Sequence, residues 1–236
     1  MSPLVQPISL GLRNVGLLAG LSDARLEALA RQCAWRSHEK GAWIISRDAD
    51  DGGVYFLVSG AVRITTYSKG GRETTFRDIE AGQTFGELAA IDSEPRSADV
   101  VALESSLTAA LPPEAFRELL RQEYLVAERL IRRLAGMVRL LSERVVELST
   151  RSVPSRIHAE LLRLAREAGV DKNSARLSPP PRQADLAARV STYREQVTRE
   201  FSALAKQGLL GKEKEALVVR DVARLEALVA QGMREE

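Results

Sequence analysis

The order of apolar and polar positions changes character twice along the 236-residue chain. In residues 22–32, "SDARLEALARQ", Leu26, Leu29 and Ala30 share one helical face and Ser22 stands where an N-cap belongs, so a short helix is predicted. From about 34 to 111, short runs of β-branched and aromatic residues ("AWIIS", "VYFLVSGAVRITTY", "TTFRDI") alternate with turn chemistry ("DADDGG", "SKGGRE", "EAGQ"). That texture predicts a small antiparallel β barrel or sandwich, with Gly70 and Gly71 supplying positive φ to a hairpin. After Pro112 and Pro113 the period becomes helical. Residues 114–149 hold no proline and a single glycine, which predicts about 54 Å of helix if unbroken, with a break expected near Gln122–Tyr124. Leu130, Leu134, Met137, Leu141, Val145 and Leu148 form a near-heptad stripe with arginines mostly off it. Such a narrow stripe suits a two-stranded seam with a second copy; packing on its own domain is the other reading.

"STRSVPSR" at 149–156 ends this helix, since Pro154 cannot continue it but can open the next, "SRIHAELLRLAREAG", which Gly169 closes. "VDKNSARLSPPPR" reads as a loop. Beyond it Ala184, Leu186, Ala187 and Val190 mark a short helix, interrupted by Ser191 and Thr192. Thr192 and Glu195 have the spacing of a capping box for a second helix, on which Val197, Phe201 and Leu204 face inward and Tyr193, Arg194, Gln196, Arg199 and Glu200 outward. Two short helices with an arginine-bearing second one fit a helix-turn-helix, and "GLLGKEKEALVVRD" and "VARLEALVAQG" fit a β wing and a closing helix. A plain three-helix bundle with solvated arginines is the alternative.

Charge sharpens this division. Residues 1–150 hold 18 Lys+Arg against 20 Asp+Glu, whereas residues 151–236 hold 16 against 12, so the basic part is the candidate nucleic-acid module. A lone cysteine, Cys33, excludes a disulfide framework or a cysteine-rich metal site, and two histidines, His38 and His158, suggest no zinc or haem centre. No basic leader precedes an apolar run and no stretch of 18 apolar residues occurs, which predicts a cytoplasmic protein without membrane contact. Enzyme chemistry has no foothold: Ser97 lacks a nearby histidine, no carboxylates pair convincingly, and no glycine-rich nucleotide loop is present. A nucleotide-processing enzyme is kept only as a remote alternative.

One stretch asks for a ligand. In "FGELAAIDSEPRSADVV", residues 85–101, a Gly-Glu pair is followed nine residues later by Arg-Ser, as though converging on something small and anionic; an internal Glu87–Arg96 ion pair is the competing explanation. This stretch, with "YFLVSGAVRI" before it, resembles the phosphate-binding cassette of cyclic-nucleotide-binding domains. "QADLAARVSTYREQVTREFSAL" and the wing after it resemble the DNA-binding end of the cyclic-AMP receptor protein/fumarate-nitrate regulator superfamily of bacterial transcription regulators. The resemblance spans about 15–230 and follows that family's order.

It implies an α+β chain: a cyclic-nucleotide-binding β roll over 1–113, a long dimerisation helix over 114–150, and a winged helix-turn-helix over 151–236. Arg96 and Ser97 would hold the cyclic phosphate and Glu87 the ribose 2′-hydroxyl, with Gly86 and the N–H groups of 86–89, including Leu88 and Ala89, close to the anion. The purine would meet Leu141 and Ser142, where the family's adenine-binding member has Thr-Ser; cyclic AMP is favoured and cyclic GMP stays open. Asp48 stands where the family usually has a turn glycine, and aspartate's tolerance of left-handed backbone predicts that the turn survives. For DNA, Arg194, Glu195 and Arg199 match base-reading positions, which implies a TGTGA-like inverted repeat. Thr192, Tyr193 and Gln196 are candidates for phosphate or flanking contacts, and Arg182 and Gln183 for the backbone. Implied partners are double-stranded DNA, a second copy through 125–150, and RNA polymerase, with no metal. A same-fold regulator that answers to another ligand, or to none, is the alternative.

Overall fold

A computed structural model describes residues 9–49, 51–67 and 73–232. They form two compact units, the first built from residues up to Tyr67 and Thr75–Met137, the second from Val138 onward. The chain opens with α1 (Ser9–Leu12) and α2 (Asp23–Gln32). Ser22 caps α2 by accepting from the Arg25 N–H at 3.3 Å, and Leu26, Leu29 and Ala30 are buried, as the pattern predicts.

Strands β1 (Ala34–His38), β2 (Trp43–Ile45), β3 (Val54–Ser59), β4 (Ala61–Tyr67), β5 (Glu73–Glu80) and β6 (Thr84–Phe85) follow, then α3 (Glu87–Asp92), β7 (Asp99–Ala102) and β8 (Ser106–Leu111). Two four-stranded sheets result, in the orders β1-β8-β3-β6 and β2-β7-β4-β5, and the strand pairings described are antiparallel. β3 explains the uninterrupted apolar run "VYFL". Val54 and Phe56 join a core with the helices, while Tyr55 and Leu57 join a second cluster with Ile45, Val62, Ile79, Phe85 and Val100. Both faces are covered, so the period-2 signal of a half-exposed strand is lost. The hairpin tip expected at Gly70 and Gly71 lies outside the described residues; β4 and β5 on either side of it are neighbours. The turn at Asp48 forms, with the Ala49 N–H donating to the Ser46 carbonyl at 3.0 Å, but Asp48 is not in the left-handed region. Aspartate's special tolerance is therefore not what preserves it.

The long helical stretch is broken where expected. α4 (Pro113–Gln122) stops at Glu123, whose φ/ψ of −117°/87° leaves the helical region, and α5 (Tyr124–Thr150) starts afresh. α5 leaves the first unit after Met137 and continues into the second. Leu130 is buried in the first unit's core and Leu134 packs against it. Ile131, Val138, Leu141, Val145 and Leu148 are exposed. With Leu134 they recur at steps of 3, 4, 3, 4 and 3, a stricter heptad than the expected stripe, with Ile131 and Val138 in place of Leu130 and Met137.

The second unit adds α6 (Val153–Ala168), β9 (Val170–Asp171), β10 (Ser174–Leu177), α7 (Gln183–Arg189), α8 (Arg194–Lys206), β11 (Leu210–Glu213), β12 (Ala216–Val219) and α9 (Val222–Gln231). The segment read as a loop, "VDKNSARL", is instead the β9–β10 hairpin, turning on Lys172 and Asn173 at φ 45° and 63° and completing a sheet in the order β11-β12-β10-β9. The wing and the closing helix are where the sequence places them.

Candidate functional site

Gly86 sits between β6 and α3 at φ 81°, and a Cβ there would come within 2.8 Å of Arg96 Nη1 and 3.0 Å of the Gly53 carbonyl. Only glycine combines that backbone with that approach. Arg96, in the loop after α3, has a side chain 2 % exposed. Its Nη1 donates to the Gly86 carbonyl at 2.9 Å, its Nη2 to the Gly53 carbonyl at 2.8 Å, and its Nε to Asp51 Oδ1 at 2.9 Å, with Nη2 also on that carboxylate oxygen. Four of the five guanidinium N–H groups are thereby used. Tyr55 donates to the other Asp51 oxygen at 2.7 Å, stacks on Phe85 at 5.2 Å, and lies 5.7 Å beneath the Arg96 guanidinium. Burial, then the hydrogen bond to Asp51, raises the Tyr55 pKa well above that of a free phenol.

Cavities of about 550 and 740 Å³ border Arg96, one lined also by Asp51, the other by the exposed Ser97. Glu87, the first residue of α3, is 3 % exposed. It faces Arg133 of α5 at 3.7 Å, so the ion pair weighed between Glu87 and Arg96 is not the one present: each has another partner. Leu88 and the buried Ala89 complete the first turn of α3. Leu141 and Ser142 are exposed on α5, and the Ser142 hydroxyl donates back to the Val138 carbonyl at 2.9 Å. Asp51, Tyr55 and Arg133 escaped the sequence reading. The only signals were the acidic run before "VYF" and an arginine one position from the stripe.

In the second unit α7 and α8 pack as a pair, turned by Ser191 at φ 54°. Arg194, Glu195 and Arg199 are exposed along the first half of α8, and among the described residues their side chains engage no partner. Tyr193 is also exposed, and it is the N-cap without a side-chain capping bond. The expected capping box does not form: Thr192 is buried, and its hydroxyl donates to the Gln196 side-chain oxygen. Thr192 is thereby a brace for Gln196. Arg182 is exposed at the N-cap of α7, and Gln183 Oε1 lies 2.7 Å from Thr198 Oγ1, linking the two helices. Glu200, expected outward, is half-buried and takes His158 Nε2 of α6 at 2.6 Å, which fixes α8 against the unit's first helix.

Among the described residues no cluster of His, Cys, Asp and Glu could hold a metal ion, and no helix is long and apolar enough to cross a membrane. Residues 35–123 match the cyclic nucleotide-binding domain family, and residues 155–228 the Crp-like helix-turn-helix domain. The cyclic AMP receptor protein of Thermus thermophilus is 30 % identical over 90 % of this chain and 95 % of its own. The CRP-like cAMP-activated global transcriptional regulator of Mycobacterium tuberculosis is 25 % identical over 91 % and 96 %. In fold, a CooA mutant from Carboxydothermus hydrogenoformans superimposes with a TM-score of 0.72 at 17 % identity, over 96 % of this chain and 98 % of that one.

Proposed function

The chain belongs to the cyclic-AMP receptor protein/fumarate-nitrate regulator superfamily of transcription regulators, not to enzymes, and from that premise we propose that it is a homodimer whose grip on a TGTGA-like inverted repeat tightens when cyclic AMP binds. The observation that carries the reading is Arg96. A guanidinium this buried, braced by two backbone carbonyls and reached across a glycine that admits no side chain, is held ready for an anion. The cyclic phosphate takes the position of the Asp51 carboxylate, and Ser97 adds a hydroxyl. Glu87 is acceptor-only when ionised, so it suits the ribose 2′-hydroxyl and repels phosphate, which fixes the direction of the ligand. The N–H groups of Gly86 to Ala89, Leu88 included, are further candidate donors to the phosphate. Leu141 and Ser142 meet the purine. Leu141 offers it no hydrogen bond, so cyclic GMP is the second candidate.

The exposed heptad of α5 is the dimer seam, since an unpaired row of Ile, Val and Leu on a helix is the pattern of a two-stranded coiled coil. Arg194 and Arg199 read guanine edges, Glu195 accepts from cytosine, and Tyr193, Gln196, Arg182 and Gln183 hold the flanking backbone. RNA polymerase is the further partner of such a regulator. Binding of a labelled TGTGA palindrome, followed with cyclic AMP, cyclic GMP or neither, tests the whole reading. Wild type tightens with one of them, and Arg96→Leu responds to neither. Equal DNA binding with and without both nucleotides in wild type and variant overturns it, in favour of a same-fold regulator with another signal.

A further inference from the structure

Burial alternates along β5: Thr75 and Ile79 are buried, and Arg77 shares their side of the strand. The Arg77 guanidinium is half-buried, and among the described residues no hydrogen bond or carboxylate ion pair satisfies it. Its surroundings disfavour its charge, first through desolvation and then through Arg133, and only the attraction of Glu87 opposes them. Glu87 is already shared with Arg133. A third cation, Arg129, makes a single long contact, 3.5 Å to the Leu17 carbonyl.

Arg77, Arg129 and Arg133 line one cavity of about 400 Å³ together with Gly82–Thr84, and Arg133 also donates to the Thr84 carbonyl. Among the described residues one carboxylate, Glu87, answers the three guanidinium groups, leaving an excess of two positive charges in a partly desolvated place. Such cations are costly unless an anion neutralises them. Guanidinium forks arriving from two elements match the several oxygens of a phosphate better than they match one carboxylate.

We propose that this cavity is a second anion site, distinct from Arg96, for a small phosphate-bearing molecule of at least two negative charges. The bound phosphate bridges β5 to the start of α5. The site shares Glu87, through Arg133, with the cyclic-nucleotide reading, but Arg96 takes no part in it, so Arg96→Leu separates the two.

Calorimetric titration of the full chain with inorganic pyrophosphate, and separately with adenosine 5′-diphosphate, tests the assignment. Wild type binds pyrophosphate saturably, Arg96→Leu binds it within about twofold of wild type, and Arg77→Gln and Arg129→Gln weaken it by about tenfold or more. Pyrophosphate also raises Tm in wild type but not in Arg77→Gln. Tighter binding of the diphosphate nucleotide assigns an organic phosphate, and equal binding assigns the bare group. Should Arg77→Gln not fold, Arg129→Gln, at a half-exposed helix position, decides. Absence of saturable binding by either probe overturns the proposal, as does wild-type affinity in Arg77→Gln or equal loss in Arg96→Leu. Loss of the nucleotide response alone leaves it standing.

Discussion

The first unit hides the charges of its candidate site, and the second displays them. Arg96 and Glu87 are almost completely buried, and each already has a charged partner within the unit, Asp51 and Arg133. Arg194, Glu195 and Arg199 stand in solvent with none among the described residues. The difference follows from the dielectric. A fully buried unpaired charge is expensive, so Arg96 and Glu87 each have a partner, whereas the half-buried Arg77 has none among the described residues. A charge in water is inexpensive to leave unpaired, so a surface reader of DNA can wait with its donors free. The apolar residues Ile131, Val138, Leu141, Val145 and Leu148 of α5 are likewise exposed.

The comparison breaks most visibly at the exposed elements. Val138→Asp with Val145→Asp places charge on a seam that is open in the single chain, so each subunit should fold normally. Sedimentation should then show monomer, and DNA affinity should fall by about 10²-fold or more as the second half-site is lost. A dimer that persists removes α5 as the seam. Next in size, Arg199→Ala should weaken DNA binding by about 1–3 kcal/mol, roughly tenfold to a hundredfold, with Tm unchanged because nothing in the unit leans on it. A drop in Tm would mean that the displayed charges are structural after all. The smallest effect is the sharpest test of the hidden side. Asp51→Asn keeps the shape and removes the competing charge. Its carboxylate is 48 % exposed, so the gain in cyclic-nucleotide affinity should be about 2–5-fold, in line with the ~0.4–1 kcal/mol of a half-solvated pair. Weaker nucleotide binding would show that Asp51 positions Arg96 instead of competing for it.

Local periodicity made α2, the break before α5, the two helices of the helix-turn-helix, and the wing legible, because each is decided within one or two turns of chain. What escaped depends on partners distant in sequence. Leu130 and Ile131 are adjacent and both apolar, and only the packing of the first unit decides which of them it keeps. The T-x-x-E spacing at Thr192 is correct for a cap, yet the turn at Ser191 buries the hydroxyl and gives it to Gln196. The β9–β10 hairpin turns without glycine, on Lys172 and Asn173, so the usual marker is missing. The Gly86, Glu87 and Arg96 constellation could be read from "FGELAAIDSEPRSADVV", but Asp51, 45 residues from Arg96, could not.

The 3-4-3-4-3 spacing of the α5 row also makes the helix a torsional element. A straight helix drifts about 20° per heptad from a 3.5-residue repeat, so from Ile131 to Leu148 the row strays by roughly 50°. Under the proposed pairing, two copies that keep every contact would wind around each other left-handedly, and the pairing would set the rotation of α5 as well as join two chains.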